Sequence, residues 1–153
     1  MTQAIPEGYT SVTPCLTLKE CEKAIETYKK GFGAKELSKM LCPVTGKVMH
    51  AELQIGNARI MVQDPFGDQK PNVAGLFVYL EDCDAAMKKA KEAGLKETMP
   101  AEDMFWGDRM GAVEDSNGNQ WSIATHVKDL SQDEIDKAAK EWAEKINKGQ
   151  KAA

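Results

Sequence analysis

Two stretches, Leu18–Tyr28 (LKECEKAIETY) and Leu80–Ala90 (LEDCDAAMKKA), decide the fold. In the first, Cys21, Ala24, Ile25 and Tyr28 recur at i, i+3, i+4 and i+7. In the second, Cys83, Ala86, Met87 and Ala90 repeat that stripe in the same phase, about 62 residues later. This spacing puts each set on one face of a helix. Each helix follows a strand-like run, Val12–Leu18 or Ala74–Leu80. Gly56-Asn57 precedes the apolar segment Arg59–Gln63, and Gly118-Asn119 precedes Trp121–Thr125. A unit of this size cannot bury its apolar face alone, so two copies predict paired modules. The expected fold class is α+β: two βαβββ modules, about residues 10–66 and 73–128, facing each other around a cavity. They form one domain over residues 1–130, with 131–153 as a C-terminal helix and tail.

Between these landmarks, Lys19–Phe32 is expected to be an amphipathic helix stopped at Gly31 or Gly33. Glu36–Cys42 predicts a strand, and Lys47–Ile55 and Ala58–Asp64 a hairpin around Gly56-Asn57. Pro65–Asn72 is a polar linker. Asp82–Ala93 predicts the second helix, Leu95–Pro100 a short strand, and Glu102–Asp115 an irregular stretch that becomes a strand. In the tail, Ser131 and Glu134 have the spacing of a capping box for a helix over Ser131–Lys148. Its Ile135, Ala138, Trp142 and Ile146 share a face. That face packs on its own domain or, through Trp142, anchors a dimer.

Composition narrows the function. Of the 153 residues, 42% are hydrophobic and 29% charged, as in ordinary soluble domains. A net charge of -4 offers no footprint for nucleic acid. No apolar run approaches the ~18 residues that span a bilayer. Met1–Tyr9 lacks the charged-then-apolar pattern of a signal peptide. Cys15, Cys21, Cys42 and Cys83 form no C-x-x-C pair, and two lie on helix stripes; they read as reduced thiols of a cytoplasmic protein.

Three stretches carry a recognisable pattern: Val12-Thr13-Pro14-Cys15-Leu16-Thr17; His50-Ala51-Glu52-Leu53; and Phe105-Trp106-Gly107-Asp108-Arg109 with Trp121-Ser122-Ile123-Ala124-Thr125-His126. Together they resemble the PhnB-like branch of the glyoxalase/bleomycin-resistance (vicinal oxygen chelate) superfamily over about residues 5–130. The resemblance implies two half-barrel βαβββ modules, frequent dimerisation and, in glyoxalase-like members, a divalent metal held by His, Gln or Glu from the first and last strands of each module. Strand parity assigns those positions here to Thr13, Met61, Gly75 and Ser122, with Ile60 replacing Met61 if the register slips by one. A hydroxyl, a thioether and a bare glycine do not hold a zinc-like ion. The expectation is therefore no metal and no cofactor at the family site, which argues against glyoxalase and dioxygenase chemistry there.

The same parity nominates a wall. Thr13, Cys15, Thr17, Met61 and Gln63 face the cavity from module one, and Phe77, Tyr79, Ser122, Ala124 and His126 from module two. Along Met49–Ile55, Met49, Ala51, Leu53 and Ile55 face one way and His50, Glu52 and Gln54 the other. His50 and Glu52 stand about 7 Å apart on one strand face. They make either a general-base couple or a solvated surface pair. Cys15 is a nucleophile candidate only if a base lowers its pKa; otherwise it simply lines the pocket. His126 ends its strand and fits a structural role better than a catalytic one. Phe105, Trp106 and Arg109 either contact a ligand, with Arg109 gripping an anion, or Asp108 and Arg109 hold the loop shut while Trp106 fills the core. The leading expectation is a metal-free, homodimeric binder of a small apolar or aromatic anion. Its rivals are a lyase, isomerase or dioxygenase with an atypical metal near His50 and Glu52, and a resistance protein that sequesters a toxic compound.

Overall fold

The computed structural model describes residues 2–149. The chain runs β1 (Cys15–Thr17), α1 (Cys21–Phe32), β2 (Lys35–Leu41), β3 (Val48–Ile55), β4 (Ala58–Gln63), then β5 (Gly75–Tyr79), α2 (Cys83–Glu92), β6 (Lys96–Asp103), β7 (Asp108–Glu114), β8 (Gln120–His126) and finally α3 (Gln132–Gly149). Each module builds one four-stranded mixed sheet, ordered β1-β4-β3-β2 and β5-β8-β7-β6. The first strand of each pairs in parallel with the last: Cys15 lies beside Met61, and Phe77 beside Ser122. The α+β class and the doubled βαβββ order are as the repeat predicts.

Both helix stripes are buried as read: Cys21, Ala24, Ile25 and Tyr28 from α1, and Cys83, Ala86, Met87 and Ala90 from α2. They belong to one continuous core, because α1 packs on α2 and reaches the second sheet. Trp121 of β8 is 1% exposed, with ring centroids 5.0 Å from Tyr28 and 4.5 Å from Phe32. Helix α1 has no side-chain cap of its own. The remote carboxylate of Asp64 accepts instead from the Cys21 amide at 3.1 Å and the Val48 amide at 2.8 Å, satisfying a free helix N–H from across the module. Asn117 binds both backbone polar groups of Lys19 and so ties module two to the start of α1.

Several expectations change. β1 begins at Cys15, so Thr13 lies outside the strand. β6 is longer than expected and contains Pro100; it is an edge strand with register shifts around Met99, where a missing donor costs little. Met49 does not share the face of Ala51. Met40 pairs with His50 but Leu41 with Val48, so Met49 is the extra residue of a bulge and turns outward, while Val48 enters the core. Ala124 keeps its expected place on the module-two face, beside Tyr79 and opposite Met110, but is fully buried there. The tail helix has its capping box, with the Ser131 amide donating to Glu134 and the Glu134 amide to Ser131. It buries none of its residues fully, and Trp142, half exposed, leans on Phe105 at 5.6 Å.

Candidate functional site

The nominated wall exists as two open sheet faces. On module two, Phe77 is 49% and Tyr79 59% exposed, with ring centroids 5.1 Å apart. By strand register, Ser122, Met110 and Ala112 share their face. On module one, Cys15, Met61, Glu52 and Gln54 lie on the corresponding face, flanked by Thr17 and Gln63. Gln63 reaches the Thr17 hydroxyl at 3.4 Å, and Asn72 of the linker holds the outer edge of β1 through the Thr17 amide at 2.7 Å. Where the modules meet, a groove of about 250 Å³ is bounded by Pro14, Arg59 and Ile60 on one side and by Leu76, Phe77 and Tyr79 on the other.

At the end of the module-two face stands a polar hub that strand reading left as a loop question. Asp108, 2% exposed, accepts from the Tyr79 hydroxyl at 2.9 Å, the Trp106 indole at 2.9 Å and His126 Nδ1 at 2.8 Å. The other nitrogen of His126 faces Asp129 at 2.7 Å. Hydrogen bonds to Asp129 and Asp108 raise the imidazole pKa and favour the imidazolium form between the two carboxylates. Burial pushes the Asp108 carboxyl up, but the bonds from His126, Tyr79 and Trp106 outweigh it and hold the group below its usual range. The pattern was legible in part: D-R opening one strand and H closing its neighbour become cross-strand partners in an antiparallel pair, Asp108 opposite His126.

Both shifts have a pH consequence. The Asp108 contribution to stability is present above its ordinary value of 3.8 and is lost as pH falls through the lower folded value. The His126 contribution is complete below 6.5 and is lost as pH rises through the higher folded value. Trp106 reports on both, so its emission should show a plateau between an acid and an alkaline transition. In Asp129→Asn the alkaline transition should move to lower pH; an unchanged alkaline limb would disprove the assignment.

Arg109 does not join the ligand wall. Its side chain turns to the helix side, where Asp84 of α2 accepts from Nε at 2.8 Å and from a terminal nitrogen at 3.0 Å, and Asp103 accepts at 3.1 Å. A guanidinium held by two carboxylates is not available to grip an anion. Phe105 and Trp106 contact each other edge-on at 5.0 Å; Phe105 faces Trp142, and Trp106 is tied to Asp108. Asp108 and Arg109 are both tied down at this segment, but Trp106 is only partly buried and does not fill the core.

In module one, His50 Nε2 lies 4.0 Å from Glu52 Oε1, so the couple is adjacent. Glu52 is already engaged: it accepts from the Tyr9 hydroxyl and, at 2.8 Å, from Ser38, and these bonds keep its carboxyl below the usual range. Tyr9 and Arg59, the latter stacked 4.8 Å from the Tyr9 ring centroid, were not among the sequence candidates. Their only signal was Arg59 opening a strand after the Gly56-Asn57 turn. The four cysteines are free thiols.

The donor set at the positions implied for a metal is Thr13, Met61, Gly75 and Ser122, and it does not fit a divalent ion. Among the described residues, no group of three or more His, Cys, Asp or Glu side chains is placed to hold one elsewhere. No helix of the described residues is long and apolar enough to cross a membrane.

Residues 11–123 match the model of the Glyoxalase/Bleomycin resistance protein/Dioxygenase superfamily, and the chain belongs to that superfamily. Within it, the chain is 32% identical over 139 residues to an uncharacterized protein of Mycobacterium bovis, covering 84% of this chain and 91% of that one. An uncharacterized Mycobacterium tuberculosis protein matches equally, over 81% of its length. Among solved structures, TioX from Micromonospora sp. ML1 superposes with a TM-score of 0.64 at 21% identity, over 80% of this chain and all of that one. A PhnB protein from Bacillus cereus gives 0.61 at 17% identity, over 76% of this chain and 99% of that one. These two likenesses are of fold alone.

Proposed function

We propose that the protein is a cytoplasmic, metal-free small-molecule binder of the PhnB-like branch that seats an aromatic anion in the groove between the modules. One observation carries this reading. The groove combines the flat faces of Phe77 and Tyr79 with Arg59, whose guanidinium stacks on Tyr9 and makes no ion pair among the described residues. Apolar walls with one convergent polar group are what small-molecule sites use. Arg59 takes the part that sequence reading gave to Arg109. Half-exposed aromatic rings on an open sheet face also favour a second copy as cover, so the protein is expected to run at twice the chain mass in sedimentation.

The test is a titration with 1-naphthoate, followed through amide shifts of Arg59, Phe77 and Tyr79 and through Trp106 emission. Saturable shifts at these residues are expected, and Arg59→Met or Phe77→Ala should weaken binding about tenfold. Stoichiometric zinc, nickel, manganese or iron in the purified protein, lost in His50→Ala, would overturn the metal-free reading. A panel of aromatic acids that leaves all three residues unmoved would sink the binder.

A further inference from the structure

Residues 6–13 form no strand or helix but lie across the module-one face as a strap, turned by the Tyr9 amide donating to the Pro6 carbonyl at 3.0 Å. Tyr9 enters a set of groups already arranged around it. Its hydroxyl donates to one oxygen of Glu52; Ser38 donates to the other oxygen, and His50 stands beside the carboxylate. Its ring lies against the guanidinium of Arg59. Gly8 and Thr10 flank the ring in a groove of about 250 Å³ shared with Thr13 and Arg59. A carboxylate acceptor at one end and a planar cation over the ring form a receptor for a hydroxylated aromatic. The strap's other hold is weak: Arg59 donates to the Glu7 carbonyl at 3.2 Å.

We propose that Tyr9 is an internal stand-in for a phenolic group of the protein's ligand, and that the ligand binds by displacing the strap. This deepens the binder reading and rests on it, because both sites share Arg59. Burial and Glu52 raise the Tyr9 pKa, so the hydroxyl remains a donor at neutral pH, as an incoming phenol must. A ligand that needs the open strap binds with its intrinsic affinity reduced by the open fraction.

The test uses p-cresol as probe, with 4-methylanisole, its methyl ether, as the comparison lacking the donor. Tyr9→Ala should tighten p-cresol binding about tenfold. Gly8→Ala should act in the same direction without replacing Tyr9, because Gly8 has φ +82, which strains any side chain there, while the neighbouring Arg59 tip can move aside. Glu52→Gln should weaken p-cresol, and 4-methylanisole should bind every variant about tenfold less well. Equal affinity of p-cresol for the parent protein, Tyr9→Ala and Gly8→Ala would overturn the proposal, as would equal binding of the ether. If 1-naphthoate still binds when p-cresol ignores these changes, the stand-in fails and the binder survives. If neither probe binds any variant, both fail.

Discussion

Asp115→Ala is expected to destabilise the protein by about 3 kcal/mol and to lower its thermal midpoint by roughly 10 °C. Asp115 lies at the end of β7, buried, where the two modules share their core. It accepts from the Tyr28 hydroxyl at 2.6 Å, the Trp121 indole at 3.1 Å, and the Asn117 and Asn119 amides at 2.9 Å each. Alanine leaves a phenol and an indole N–H unpaired in a dry interior, at about 1–3 kcal/mol each, offset in part by removing a buried charge. Tyr28→Phe removes one donor and leaves the others in place, so it should cost about 1 kcal/mol. Chemical denaturation of both variants checks the order. Equal losses would mean that Asp115 acts through Tyr28 alone.

Gly107→Ala is expected to cost about 2–3 kcal/mol and to disturb the end of the module-two face. Gly107 has φ +102, and an added Cβ would stand 2.1 Å from the backbone oxygen of Lys128. That oxygen cannot step aside as a side chain would, because the Val127 and Lys128 amides both donate to the Gly107 carbonyl. Relief of the clash must pull residues 127–128 away from the loop, and Trp106, Asp108 and His126 with them. The expected signature is a shift in Trp106 emission together with lost contact between Phe105 and Trp142. Phe105 sits on this segment and Trp142 on α3, so α3 should loosen as well. A variant with native stability and unchanged emission would show that the loop accommodates a side chain here.

The doubled helix stripe was readable because burial periodicity is local: four residues at i, i+3, i+4 and i+7 define a face whatever packs on it. The capping box of α3 and the core position of Trp121 follow from the same short-range rules. Strand parity placed Cys15, Met61, Phe77, Tyr79 and Ser122 correctly relative to the helix side, because alternation along a strand needs no knowledge of its neighbours. It failed at Met49, where a bulge inserts a residue, and bulges depend on the partner strand.

The amino-acid order by itself determined two βαβββ units with a capped tail helix, since these depend only on side-chain type and local period. The tertiary structure alone decided which charged groups are free. Arg109 and Arg59 look alike in the sequence. One meets Asp84 and Asp103 on the helix side, and the other meets a tyrosine from a strap that comes 50 residues earlier in the chain. Long-range pairing of this kind is set by which faces the packed modules bring together, and no local pattern encodes it.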